Sequence, residues 1–154
     1  MTSIGGVAAE QLRPQRSSDR RRGRGLQAAS FDAEAGLIRF SGQAPAQPLL
    51  PGSQDRLSAM LQLSAILNAQ PFRAGSGQRI LLHVAGARGD ASVWVFESKG
   101  LVPDGTELPN RAGLVYLVRE PTQPYDTRVE LWLDPARDHL PRSWRWTRRW
   151  TGWL

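Results

Sequence analysis

The stretch Pro51 to Phe72, PGSQDRLSAMLQLSAILNAQPF, is the one long segment with a helical period, and the rest of the chain has to be arranged around it. Pro51 and Gly52 close the preceding segment, Ser53 stands where a side chain can cap the first turn, and Asp55 places a negative charge where the helix dipole favours one. Pro71 ends the run. At about 100° per residue, Leu57, Met60, Leu61, Leu63, Ile66 and Leu67 sweep an arc of roughly 220° and are expected to form the core face of a helix from Gln54 to Ala69. Ser58, Gln62, Ala65 and Ala69 are left as a narrow outer stripe. Some 16 residues at about 1.5 Å each make a rod of roughly 24 Å, enough to cross one face of a small sheet. Arg56 falls inside the apolar arc and must snorkel or find a carboxylate.

Either side of this helix the pattern is that of strands and turns. Ile4–Leu12, Leu26–Phe31 and Leu37–Phe40 are predicted to form a meander, with RPQRSSDRRRGRG as the connection that lifts Arg20, Arg21, Arg22 and Arg24 to a hairpin tip. Pro45, Pro48 and Pro51 mark a loop leading to the helix. After it, Arg79–Val84 alternates, and Ser92–Ser98 sets Val93 and Val95 against Trp94 and Phe96, predicting a strand covered on both faces. Lys99–Gly100 is read as a turn, and Leu114–Val118 and Thr127–Leu133 as further strands. In the last of these Val129, Leu131 and Leu133 face the core, with Arg128, Glu130 and Trp132 on an amphipathic face.

The formal charge of +6 suggests a nucleic-acid partner until it is mapped. Residues 10 to 25 hold six arginines against Glu10 and Asp19, and residues 137 to 149 hold five against Asp138. The remaining body has nine basic and eleven acidic groups, so the basicity belongs to the two ends. With no cysteine, disulfides, thiolate metal sites and cysteine nucleophiles are excluded. No window approaches about 18 uninterrupted apolar residues, so no transmembrane segment is predicted, and the first 30 residues lack the apolar run of an export signal.

Several fragments form a wider pattern. Arg13–Pro14, Phe31–Asp32, PGSQDRLS from Pro51, Gln62–Leu63, Arg119-Glu120-Pro121, Tyr125–Asp126, VELWLDP from Val129 and Leu140–Pro141 stand in an order that resembles the bacterial domain of unknown function 3108 family of proteobacteria. The resemblance implies a β-rich fold and, for longer members, an exported periplasmic or cell-envelope protein. It implies no catalytic residues. It also implies more chain at both ends, so Met1 is expected to be an internal start. Residues 142–154, in which tryptophan and arginine alternate, are expected to be an aberrant or disordered tail outside a single domain spanning 1–141.

Candidate chemistry is sparse. His83 and His139 share no motif with a nucleophile, and His83 is expected to sit on a sheet face beside a local hydrogen-bond partner. Asp134, Asp138 and His139 are close in sequence, yet zinc requires three or four ligands, and Asp134–Pro135 is a turn signal in its own right. No catalytic, cofactor-binding or metal residue is assigned, and no cofactor is expected. The expected fold is mainly β with one long helix (α+β), a curved antiparallel sheet of six to eight strands packed around the helix. The expected function is that of a non-enzymatic, carrier-like domain for an apolar or lipid-like ligand. The alternative is a basic nucleic-acid-binding module that uses Arg20, Arg21, Arg22 and Arg24 as an anion site.

Overall fold

The structure, a computed structural model, describes residues 1–8, 11–20, 25–105 and 109–148. The chain is mainly β with one α-helix, as the sequence predicts, but the strands form two sheets. The first is an antiparallel run in chain order, made of β1 (Thr2–Ala8), β2 (Gln11–Arg20), β3 (Leu26–Asp32), β4 (Leu37–Phe40) and the short β5 (Gln47–Pro48). The second contains β6 (Gln54–Asp55), β7 (Arg79–Ala85), β8 (Ala91–Leu101), β9 (Val115–Arg119), β10 (Thr127–Asp134) and β11 (Leu140–Arg148), in the order β11-β10-β9-β8-β7-β6. Its β6–β7 pair is parallel. By its internal contacts the chain divides into two compact units, Met1–Gln62 with Leu82–Trp94, and Leu63–Leu81 with Val95–Leu154.

In the first unit the meander has a strand that the sequence reading missed. Residues 13–20, expected as a connection, continue β2, and the expected single strand Ile4–Leu12 is two strands paired antiparallel. β2 carries little apolar surface, but β1 on one side and β3 on the other take up its backbone groups, so pairing rather than burial defines it. A register shift between Ile4 and Gly5 brings the backbones very close, and a β-carbon on Gly5 would strike the Arg13 carbonyl. Ala29, Phe31, Ile38 and Ala85 form the buried core of this unit, flanked by Phe40, Leu49 and Ala91.

The helix α1 spans Arg56–Ala69, and its buried side is rotated from the expected one. Met60, Leu63 and Leu67 are core as predicted, and Leu57 and Ile66 are half-buried. Leu61 is 47% exposed, whereas Ser58 and Gln62, expected on the outer stripe, are buried. Hydrogen bonding explains the rotation. The Gln62 side-chain oxygen accepts from the Leu12 amide at 2.8 Å, and the Ser58 hydroxyl donates to Gln54 at 2.7 Å, so both polar groups are matched in place. The cap is Asp55, not Ser53. The Asp55 carboxylate accepts from the amides of Leu57 and Ser58, both at 2.9 Å, while Ser53 bonds to Leu50 and to His83. Arg56 finds the carboxylate that its position demanded, Asp90 at 3.0 Å, and lies over the Trp94 ring.

β8, whose residues from Val95 onward belong to the second unit, runs through Lys99–Gly100, which is a bulge opposite β9 rather than a turn. Across β8, Trp94, Phe96 and Ser98 are buried but Val93 is 52% exposed, so that strand is not covered on both faces as expected. The doubly covered strand is β10, in which Val129 through Asp134 are all buried. Residues 142–148, set apart by the sequence reading as a tail, belong to β11 and pair along β10: Trp146 stands opposite Val129, Trp144 opposite Leu131 and Arg145 opposite Glu130.

Candidate functional site at the Asp134–His139 turn

The turn between β10 and β11 departs from regular geometry at two successive residues, where the loop before β10 does so at one, Tyr125 with φ of 67°. β10 ends at Asp134, whose carboxylate accepts from the Ala136 amide at 3.0 Å and so starts a 3-10 turn, Pro135–Arg137. Asp138 and His139 then both take left-handed backbone angles, each with φ of 54°. Two successive non-glycine residues in this region store strain, of order 1 kcal/mol each, and persist only where their surroundings fix them.

Here the fixing groups come from the second half of α1. The Ser64 hydroxyl donates to the His139 carbonyl at 2.7 Å, and the Asn68 side-chain amide donates to the Asp138 carbonyl at 2.6 Å. Ser64 and Asn68 lie four apart, hence on one helix face, so both reach the same turn. The His139 amide completes the clamp by donating to the Asp134 carbonyl at 2.9 Å.

This arrangement also fixes a tautomer. Because the Asn68 nitrogen faces the Asp138 carbonyl, its oxygen must be the atom 2.6 Å from His139 Nδ1. An amide oxygen only accepts, so Nδ1 carries the proton and donates. In the neutral ring Nε2 is left as a lone-pair acceptor.

Beside the turn lies an open recess of about 450 Å³, lined by Ala74, Gly75, Ser76, Gly100, Leu101, Val115, Pro135 and His139, with a surface that is almost wholly apolar. Val115 and His139 are its buried members, and Leu101, 61% exposed, is part of the rim. The backbone shape comes from Gly100, whose φ of 79° a residue with a side chain rarely adopts, and from the Ser98 hydroxyl, which donates to the Ala74 carbonyl.

On the opposite face of β10 from Leu131, a second cluster surrounds Glu130 and Trp132. Tyr116 stacks on Trp132 with centroids 5.0 Å apart, and the guanidinium of Arg111 lies 3.6 Å from the Trp132 ring centre. Glu130 accepts from the Tyr116 hydroxyl and pairs with Arg128 at 2.7 Å and Arg145 at 3.6 Å. Burial alone would raise the Glu130 carboxyl, but the bonds from Tyr116 and Arg128 hold it below the ordinary carboxylate range. Burial and the neighbouring Glu130 push the Tyr116 phenol up.

Of the four arginines expected as an anion site, Arg20 is exposed at the end of β2, opposite Leu26, and Arg21, Arg22 and Arg24 lie outside the described residues. His83 has the local partner expected of it, the Ser53 hydroxyl at 2.7 Å from Nδ1, and burial holds its imidazole below the usual value. Among the described residues no group of three or more His, Asp or Glu side chains could hold a metal ion, and no helix is long and apolar enough to cross a membrane. His139 was visible in the sequence but assigned no role. Ser64 and Asn68 were missed, and their only signal was a four-residue spacing of polar groups beside the apolar arc. No family model, curated protein or solved structure matches the chain.

Proposed function

We propose that this chain is a non-enzymatic, carrier-like binding domain for an apolar ligand, and that the ligand sits in the recess beside the Asp134–His139 turn. The observation that carries the reading is the pairing of an apolar recess of about 450 Å³ with a strained turn that three hydrogen bonds hold at its wall. Small-molecule sites commonly occupy about 300–1,000 Å³ and are lined mainly by apolar groups with few polar ones. Backbone held in sparsely populated regions clusters at ligand clamps, which supports this reading. The resemblance to the domain of unknown function 3108 family adds an envelope setting to this proposal, in which a carrier would hold a lipid-like molecule away from water.

The test is titration with N-phenyl-1-naphthylamine, a probe that brightens when it leaves water, on the full chain and on Leu101→Glu. Leu101 is exposed on the rim, so the substitution places a charge at the recess without emptying the core. Saturable brightening that weakens about tenfold in Leu101→Glu is expected, equivalent to about 1.4 kcal/mol. Absence of saturable binding, or equal binding by both proteins, rejects the recess as the ligand site.

A further inference from the structure

One residue of the recess has a side chain whose chemical state the hydrogen bonds determine. His139 lines the recess and is 9% exposed. Its Nδ1–H is committed to Asn68, whose orientation is fixed in turn by the Asp138 carbonyl. Nε2 has no hydrogen-bond partner among the described residues, the ring's bond being at Nδ1. His139 is thus the one lining residue whose side chain has an uncommitted ring acceptor, and the remaining lining is Ala, Gly, Leu, Val and Pro, apart from Ser76 on the exposed rim. Nε2 is not among the buried atoms without a partner, so in the open recess it is reached by water; a ligand that covers it displaces that water, and one that supplies a donor in its place is favoured over one that does not.

We infer that the recess selects apolar molecules bearing a hydroxyl group, such as long-chain alcohols, by accepting their O–H at His139 Nε2. The inference rests on the recess being a ligand site and adds the head-group chemistry. A carboxylate is disfavoured because it brings a second acceptor to the lone pair, and an ether or ester because it brings no donor. Asn68 is the positioning residue: by taking the Nδ1 proton it keeps Nε2 free to accept.

Two measurements on the full chain at about pH 8, above the ordinary imidazole range, test this. The first is the imidazole ¹⁵N spectrum, in which Nδ1 of His139 is expected to be protonated and Nε2 unprotonated. The reverse tautomer overturns the inference without reference to any ligand. The second compares 1-decanol, decyl methyl ether and decanoate by the amide shifts of Gly75 and Gly100. Decanol is expected to bind at least about tenfold more tightly than the ether, with decanoate weakest. In His139→Phe the apolar wall is kept, and the alcohol and the ether should bind alike. Equal binding of alcohol and ether to the unaltered chain, or tighter binding of decanoate, overturns the hydroxyl preference but leaves an apolar recess. Failure of all three to bind removes the recess reading itself.

Discussion

The Glu130 cluster and the His139 turn belong to the same unit and are joined by four residues of β10, yet they satisfy their polar groups in opposite ways. Around Glu130 opposite charges meet: Tyr116, Arg128 and Arg145 converge on the carboxylate and Arg128 also pairs with Glu120 at 3.1 Å, while Arg111 lies on Trp132 and reaches the Ser143 hydroxyl at 3.2 Å with its other terminal nitrogen unpartnered among the described residues. The backbone there is ordinary strand. At His139 the backbone is strained, the bonds come from neutral side chains, and one ring nitrogen lacks a partner. A network of paired charges and stacked rings explains itself as structure, because it closes the Glu130 and Trp132 face of β10. A strained turn with an open acceptor is not closed in the same way, and it leaves a group able to meet a ligand.

The first way to break this contrast is Glu130→Ala. It leaves Arg128, Arg145 and the Tyr116 hydroxyl converging on an almost buried gap, and loss of a buried pair's partner costs about 3 kcal/mol. Chemical denaturation should show a loss of that order, and a loss under about 1 kcal/mol would mean that the cluster is only a solvated face. Acid titration gives the sign. The folded Glu130 carboxyl lies below its unfolded value, so its contribution is complete above the ordinary carboxylate range, near 4.3, and is lost as pH falls through the lower folded value. The stability gap between the unaltered chain and Glu130→Gln should therefore close on acidification. A gap that widens would contradict the assignment.

A smaller effect is expected at the turn. Asn68 is exposed, so Asn68→Ala removes two hydrogen bonds without opening a cavity, and a loss of about 1–2 kcal/mol is expected. The His139 Nδ1 proton should exchange with water much faster in the variant. A change in stability with no change at that proton would show that Asn68 acts elsewhere and that the clamp is not what holds the ring.

The two regions also differ in how far the sequence disclosed them. The helix, β7, β9 and β10 were legible because their apolar periods are strong. The helix's rotation was not, since hydropathy placed Ser58 and Gln62 outside, and only the Gln54 side chain and the Leu12 amide make their burial tolerable. β2 was hidden because strand pairing can proceed between two neighbours with polar side chains outward, leaving no alternation to read. β11 was hidden for another reason: its Arg/Trp composition suggested a tail, but its register places Arg145 beside Glu130 and the tryptophans on the Leu131 face. The Glu130 cluster thus has partners from β9, β10 and β11, which no local motif can bring together. His139 was visible as a residue and invisible as a site, since its role depends on Asn68, 71 positions away.

The smallest expected effect is the most specific to the contrast, because it reverses sign between the two regions. Asp138 has φ of 54°, where glycine is free of the steric cost that a β-carbon brings. Asp138→Gly should be more stable than Asp138→Ala, by about 1 kcal/mol. Glycine's greater freedom in the unfolded chain works against the gain but does not cancel it. At Arg128, in the regular strand beside Glu130, the same pair should order the other way, with glycine about 0.5–1 kcal/mol worse than alanine. Both alanine variants remove the native side chain, so subtracting within each pair isolates the backbone. Thermal or denaturant unfolding of the four variants supplies the comparison. If alanine is preferred at both positions, the left-handed conformation at Asp138 is not maintained in solution, and the clamp by Ser64 and Asn68 has nothing strained to hold.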